Sequence, residues 1–109
     1  MDFNEYQKAT HETFVDDGRD IGLKICRMVL GIAGESGECA ESVKKFLRGD
    51  FGVAELKERL KKEMGDSLWY ISETCNLLGL SMEQIAKENI DKLRDRKDRG
   101  KLKGDGDNR

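Results

Sequence analysis

Four acidic residues stand in two pairs with the spacing that catalysis by metal ions requires: Glu35 with Glu38, and Glu63 with Asp66. An i, i+3 interval presents two carboxylates from neighbouring turns of one helix face. One such pair is an ordinary solvated surface, but two pairs meeting at one point are not. Clustered like charges disfavour one another's ionised forms, so the arrangement persists when a cation sits within it. Ligation by carboxylates alone is hard-oxygen chemistry and selects Mg²⁺, with Mn²⁺ as a substitute. Zinc and carboxylate-bridged di-iron sites call for histidines or paired cysteines, and neither pair has a histidine at the third position. Mg²⁺ keeps waters and shares its coordination with substrate phosphates, so the fitting chemistry is water attack at phosphorus.

Two long helices must bring the pairs together. At 100° per residue the first carries an apolar stripe of Ile25, Val29, Ile32, Ser36, Cys39 and Val43. The second carries Leu56, Leu60, Met64, Leu68, Ile71, Cys75 and Leu78. Each acidic pair lies roughly 80° and 140° to the same side of its stripe. Antiparallel packing then brings the pairs to one flank, whereas parallel packing would separate them. The short turn Arg48-Gly49-Asp50-Phe51-Gly52 enforces the antiparallel choice, and both pairs stand at about equal height above it. Four carboxylates are therefore expected to converge.

The composition suits this architecture. The chain has 109 residues, 39% charged and 6% aromatic, with no proline and a net charge of −2. That profile predicts a single all-α domain of about four helices in an antiparallel bundle. Its small core favours homo-oligomers, either a dimer or a tetramer. Residues 1–104 form the expected domain, with 105–109 a short tail. Cys26, Cys39 and Cys75 lack metal-binding spacing and read as thiols of a reducing, cytoplasmic protein. No apolar run reaches membrane-spanning length. Residues 87–103 hold eight Lys/Arg against four Asp/Glu, but the two signs interleave in a chain that is acidic overall. That pattern argues against stable nucleic-acid binding.

Along the chain, residues 2–15 read as a short helix capped by Asp2 that carries the lone His11. A second helix runs from about Leu23 to Phe46. Gly31, Gly34 and Gly37 interrupt the second helix at roughly 1 kcal/mol each against alanine. Close packing and space for a ligand explain them about equally well. A third helix runs from Val53 to Leu78 and ends at Gly79; Ser81 and Gln84 start the last one. Trp69 fits core or interface packing better than base stacking, though it stays among the substrate-binding candidates. On the last helix Asn89 falls where an apolar residue belongs, between Ile85 and Leu93, so it needs a partner or a ligand. Lys92, Arg96, Lys101 and Lys103 are candidates to grip phosphates. The glycine-rich end is expected to be mobile unless a ligand or neighbour orders it.

The strings Gly34-Glu35-Ser36-Gly37-Glu38 and Glu63-Met64-Gly65-Asp66, followed by Leu68-Trp69-Tyr70, resemble the MazG-like all-α nucleotide pyrophosphohydrolases. Asn89-x-x-Lys92-Leu93-x-x-Arg96 and the ending from Arg99 to Arg109 are similar to small single-domain members. The resemblance implies Mg²⁺ held by Glu35, Glu38, Glu63 and Asp66, and a nucleoside triphosphate split into monophosphate and pyrophosphate. It also implies homodimers or homotetramers and a role in clearing modified or surplus deoxynucleotides. One departure matters. Many members begin the first motif with two adjacent glutamates, and here the extra position is Gly34. The general base is therefore open, with Glu41 a candidate one turn further along. Two other classes compete with the enzyme reading: a nucleotide binder without turnover, and a helical interaction domain.

Overall fold

The computed structural model describes all 109 residues and contains four helices: α1 (Phe3–His11), α2 (Ile21–Leu47), α3 (Val53–Leu78) and α4 (Met82–Asp98). Their ends follow side-chain chemistry. Asp2 accepts the Glu5 amide at 2.8 Å and starts α1. That helix stops at His11, before the expected end at 15, because side chains capture the backbone beyond it. The Thr13 hydroxyl donates to the Thr10 carbonyl, while Asp16 and Asp17 accept the amides of Gly18 and Arg19. Such local bonds compete with helix propagation. Asp20 then caps α2 by accepting the Leu23 amide at 3.0 Å, two residues before the expected start. Gly79, at φ 67°, ends α3 in the left-handed conformation, and Ser81 accepts the Gln84 amide to begin α4. Gln84 turns its side chain to Glu88, so only half of a capping box forms.

The body of the molecule is the antiparallel α2–α3 hairpin. α1 lies on the C-terminal half of α3, and α4 touches α1 and α3 but not α2. Gln7 ties three elements together. It donates to Asn76 at 3.0 Å and to the Leu80 carbonyl at 2.8 Å, and its carbonyl accepts the Met82 amide.

The stripe expected to pack between α2 and α3 is turned partly outward. Val29 is 48% exposed, Val43 38% and Met64 55%, while Met28 and Ser42 are buried. The cause lies at Gly31. A Cβ there would come within 2.3 Å of the Tyr70 ring, so α3 approaches α2 along the face of small and polar residues. Met28, Cys75 and Met82 are the buried apolar residues, while Ile25, Ile32, Cys39, Leu56, Leu60 and Ile71 of the two stripes are half-buried. The expected inner face of α4 changes too. Met82 and Arg96 are buried, but Asn89 is exposed and Ile85 and Leu93 are 44% and 39% exposed, because α4 has no long helix alongside it.

Candidate metal centre

The rotation of the hairpin carries the acidic residues inward. Glu35 from α2 and Glu63 and Asp66 from α3 each offer one carboxylate oxygen, all within 4.8 Å of one another. Glu35 and Glu63 are half-buried and Asp66 is exposed, so the cluster opens to solvent on one side. A hydrogen bond with Glu63 is the main cause that raises the Glu35 carboxyl above its ordinary value. Burial and the charges of Asp66, Glu63 and Glu38 push the same way. Glu38 lies outside the group of three; it is exposed but near enough for its charge to act on Glu35. Three of the four expected carboxylates therefore converge, with the fourth at their edge.

The three glycines of α2 divide between the two readings offered for them. Gly31 serves close packing, whereas nothing lies within 4 Å of a Cβ built at Gly34 or Gly37. Open space thus flanks Glu35 and Glu38 along the helix. On the α1 side, burial and then the charge of Asp66 raise the Tyr6 hydroxyl pKa. Tyr6, Phe3, Leu68 and Glu83 line a cavity of about 370 Å³. The sequence places Tyr6 on the apolar face of α1, but its nearness to Asp66 depends on how α1 docks.

The other candidates fare differently. Glu41 pairs with Lys44 at 3.0 Å, and that bond holds its carboxyl below the ordinary range, which weakens it as a base. Trp69 donates its indole N–H to the Thr13 hydroxyl at 2.7 Å and meets Tyr70 edge-on, an arrangement that belongs to packing. Asn89 and Lys92 line a small cavity with Ile85, Glu88 and Asp107. Lys92 and Arg96 both pair with Asp107 of the tail, while Lys101 and Lys103 are exposed. The tail has its ordering neighbour in α4.

Sequence reasoning missed Glu73. It is fully buried, hydrogen-bonded by Thr10 and Asn76 and 3.1 Å from His11 Nδ1. His11 thus belongs to the docking of α1. Thr10 and Ser72 share a further hydrogen bond at 2.6 Å. The signal available was a glutamate on the α1-facing side of α3, but only its partner from far along the chain reveals its role.

The sequence pattern defining the MazG nucleotide pyrophosphohydrolase domain matches residues 24–100 and so spans the whole acidic hairpin and α4. The chain belongs to the MazG nucleotide pyrophosphohydrolase family. A relative, the Gene 37 protein of Mycobacterium phage L5, is 37% identical over 114 residues and matches along the full length of both chains. No solved structure matches. The MazG assignment accords with the four-helix, strand-free fold, and no helix is long and apolar enough to cross a membrane.

Proposed function

We propose that the chain is a Mg²⁺-dependent nucleoside triphosphate pyrophosphohydrolase that releases monophosphate and pyrophosphate. The observation that carries this reading is the meeting of Glu35, Glu63 and Asp66 across the hairpin, beside the open space at Gly34 and Gly37. The donor set fits the ion. It is all carboxylate, open on one side for phosphate and water, and strained by mutual repulsion that a cation relieves. When bound, Mg²⁺ supplies a more acidic water and offsets charge on the phosphates. The chain holds three carboxylates in register from two rigid helices, with Glu38 close enough to join them. Water attack at the α-phosphorus breaks its bond to the bridging oxygen, and that oxygen leaves with pyrophosphate. Gly34 stands where many members have a second glutamate, and Glu41 is engaged by Lys44, so no side chain is assigned as the base.

Asn89, Lys92, Arg96, Lys101 and Lys103 are proposed to bind the substrate from α4 and the tail. A homo-oligomer is proposed alongside this role. Val29, Leu30, Met64, Ile85 and Ile90 are each more than two-fifths exposed, and a homodimer or homotetramer would cover such residues. Light scattering checks that state; a monomer at micromolar concentration would sink it.

The deciding experiment incubates a panel of standard and modified nucleoside triphosphates with Mg²⁺ and separates the products. Monophosphate and pyrophosphate are expected. Diphosphate and orthophosphate would assign a different reaction. Gly34 favours one second reading, a family member that binds nucleotide without turnover, and binding with no products would select it.

A further inference from the structure

The tail folds back on the last turns of α4 and builds a second charged site. The Asp107 carboxylate accepts from Lys92 Nζ at 2.7 Å and from Arg96 Nη2 at 3.3 Å, and the Asp107 carbonyl accepts from Arg96 as well. Arg99 donates to the Arg109 carbonyl at 2.8 Å. Arg109 in turn donates to the carbonyls of Lys101, Leu102 and Gly106, holding the loop closed. Gly100, Gly104 and Gly106 take positive φ and set the reversal. The result is a cavity of about 210 Å³ with no apolar side chain in its lining. Four cations, Lys92, Arg96, Arg99 and Arg109, face two carboxylates, Asp95 and Asp107.

Arg96 is the informative member. It is only 6% exposed, yet its Nε has no hydrogen-bond partner. A buried guanidinium wants several acceptors in one plane, and one exposed carboxylate does not satisfy it. Asp95 is taken by Arg99 at 2.8 Å. A clasp for the tail alone would need neither the spare cationic charge nor the unpaired donor. An oxyanion carrying more charge and more oxygens than a carboxylate would satisfy both. We propose that Asp107 is the resting occupant of the phosphate-binding niche formed by Lys92 and Arg96, displaced when the phosphate groups of a polyphosphate enter. The proposal deepens the substrate role given above to Lys92 and Arg96, and it rests on that reading. Phosphate and a docked Asp107 exclude one another, so loading the site releases the tail.

The test uses the full chain in chelator, where the acidic cluster repels anions, with inorganic pyrophosphate as the probe. Asp107 is exposed, so Asp107→Asn leaves folding intact. Titration calorimetry should show pyrophosphate binding the variant roughly fivefold tighter than the parent, because the internal competitor is gone. Lys92→Ala should weaken binding. In the parent, tryptic cleavage after Lys101 and Lys103, whose segment Arg109 holds through the Lys101 and Leu102 carbonyls, should speed up at saturating pyrophosphate. Equal or weaker binding by Asp107→Asn, or tail cleavage that stays unchanged under saturation, overturns the proposal. A chain that hydrolyses nucleotides but shows no difference between parent and Asp107→Asn loses this site and keeps the activity. A chain that behaves as expected toward pyrophosphate but hydrolyses nothing loses the enzyme reading and keeps the site.

Discussion

The Tyr70 ring of α3 lies against the backbone of α2 at Gly31, where a single added carbon would sit 2.3 Å from it. This contact sets how the hairpin helices are rotated, and hence which residues meet between them. Gly31→Ala should lower the melting temperature. The overpacking costs about 1–3 kcal/mol, and the gain in helix propensity offsets only about 1 kcal/mol. Gly34→Ala and Gly37→Ala meet nothing within 4 Å and should raise it instead. Melts of the three variants check the contrast; a stabilised Gly31→Ala would mean the ring has room to move.

Across that contact, Glu35, Glu63 and Asp66 form the cluster, and Mg²⁺ should stabilise the folded chain by mass action. The gain is about 2.7 kcal/mol at a hundred times the dissociation constant. Glu63→Gln and Asp66→Asn should be as stable as the parent or more so in chelator, gain little from Mg²⁺, and lose hydrolysis. Glu38→Gln, outside the group of three, should keep more of the Mg²⁺ gain. Identical melts for all four proteins with and without Mg²⁺ would dismiss the site.

In the metal-free protein the same cluster gives a pH dependence. The hydrogen bond with Glu63, with burial and neighbouring charge, raises the Glu35 carboxyl above the ordinary 4.5. The folded state therefore holds that proton more tightly than the unfolded chain. Stability from this group is present below the ordinary value and is lost as pH rises through the raised one. With chelator present, lowering the pH from neutral toward 4.5 should narrow the stability gap between the parent and Glu35→Gln. A gap constant with pH would refute the assignment.

Glu73 anchors α1. Glu73→Ala removes the acceptor shared by Thr10, Asn76 and His11, and stability should fall by roughly 1–3 kcal/mol. Amides of residues 3–11 should lose protection, while the remaining Mg²⁺-induced gain is kept. Retained protection in α1 would show that the helix docks by its apolar contacts alone.

Trp69 makes a simpler case. Trp69→Phe deletes the indole hydrogen bond to Thr13, so stability should fall by about 1 kcal/mol with KM for nucleotide unchanged. A raised KM at unchanged stability would return Trp69 to the substrate site.

Much of this protein is legible in its sequence because helices are local objects. Capping by Asp2 and Ser81, the stop at Gly79 and the short turn at Arg48–Gly52 need only neighbours along the chain, and they yield four helices with an antiparallel hairpin. Equal distances from the turn likewise set the two acidic pairs at one height. Periodicity cannot report how far each helix turns about its own axis once packed. The shape of the opposing surface decides that, and Tyr70 over Gly31 decided it against the apolar stripes. Glu35 and Glu63 are therefore half-buried across the hairpin, Glu38 is left at the edge, and Val29, Val43 and Met64 of the stripes are exposed. Burial of Glu73 against Thr10 and His11, and closure of the tail through Asp107 onto Lys92 and Arg96, also belong to the tertiary structure. Each joins polar groups whose pairing depends on where the backbone has already been brought.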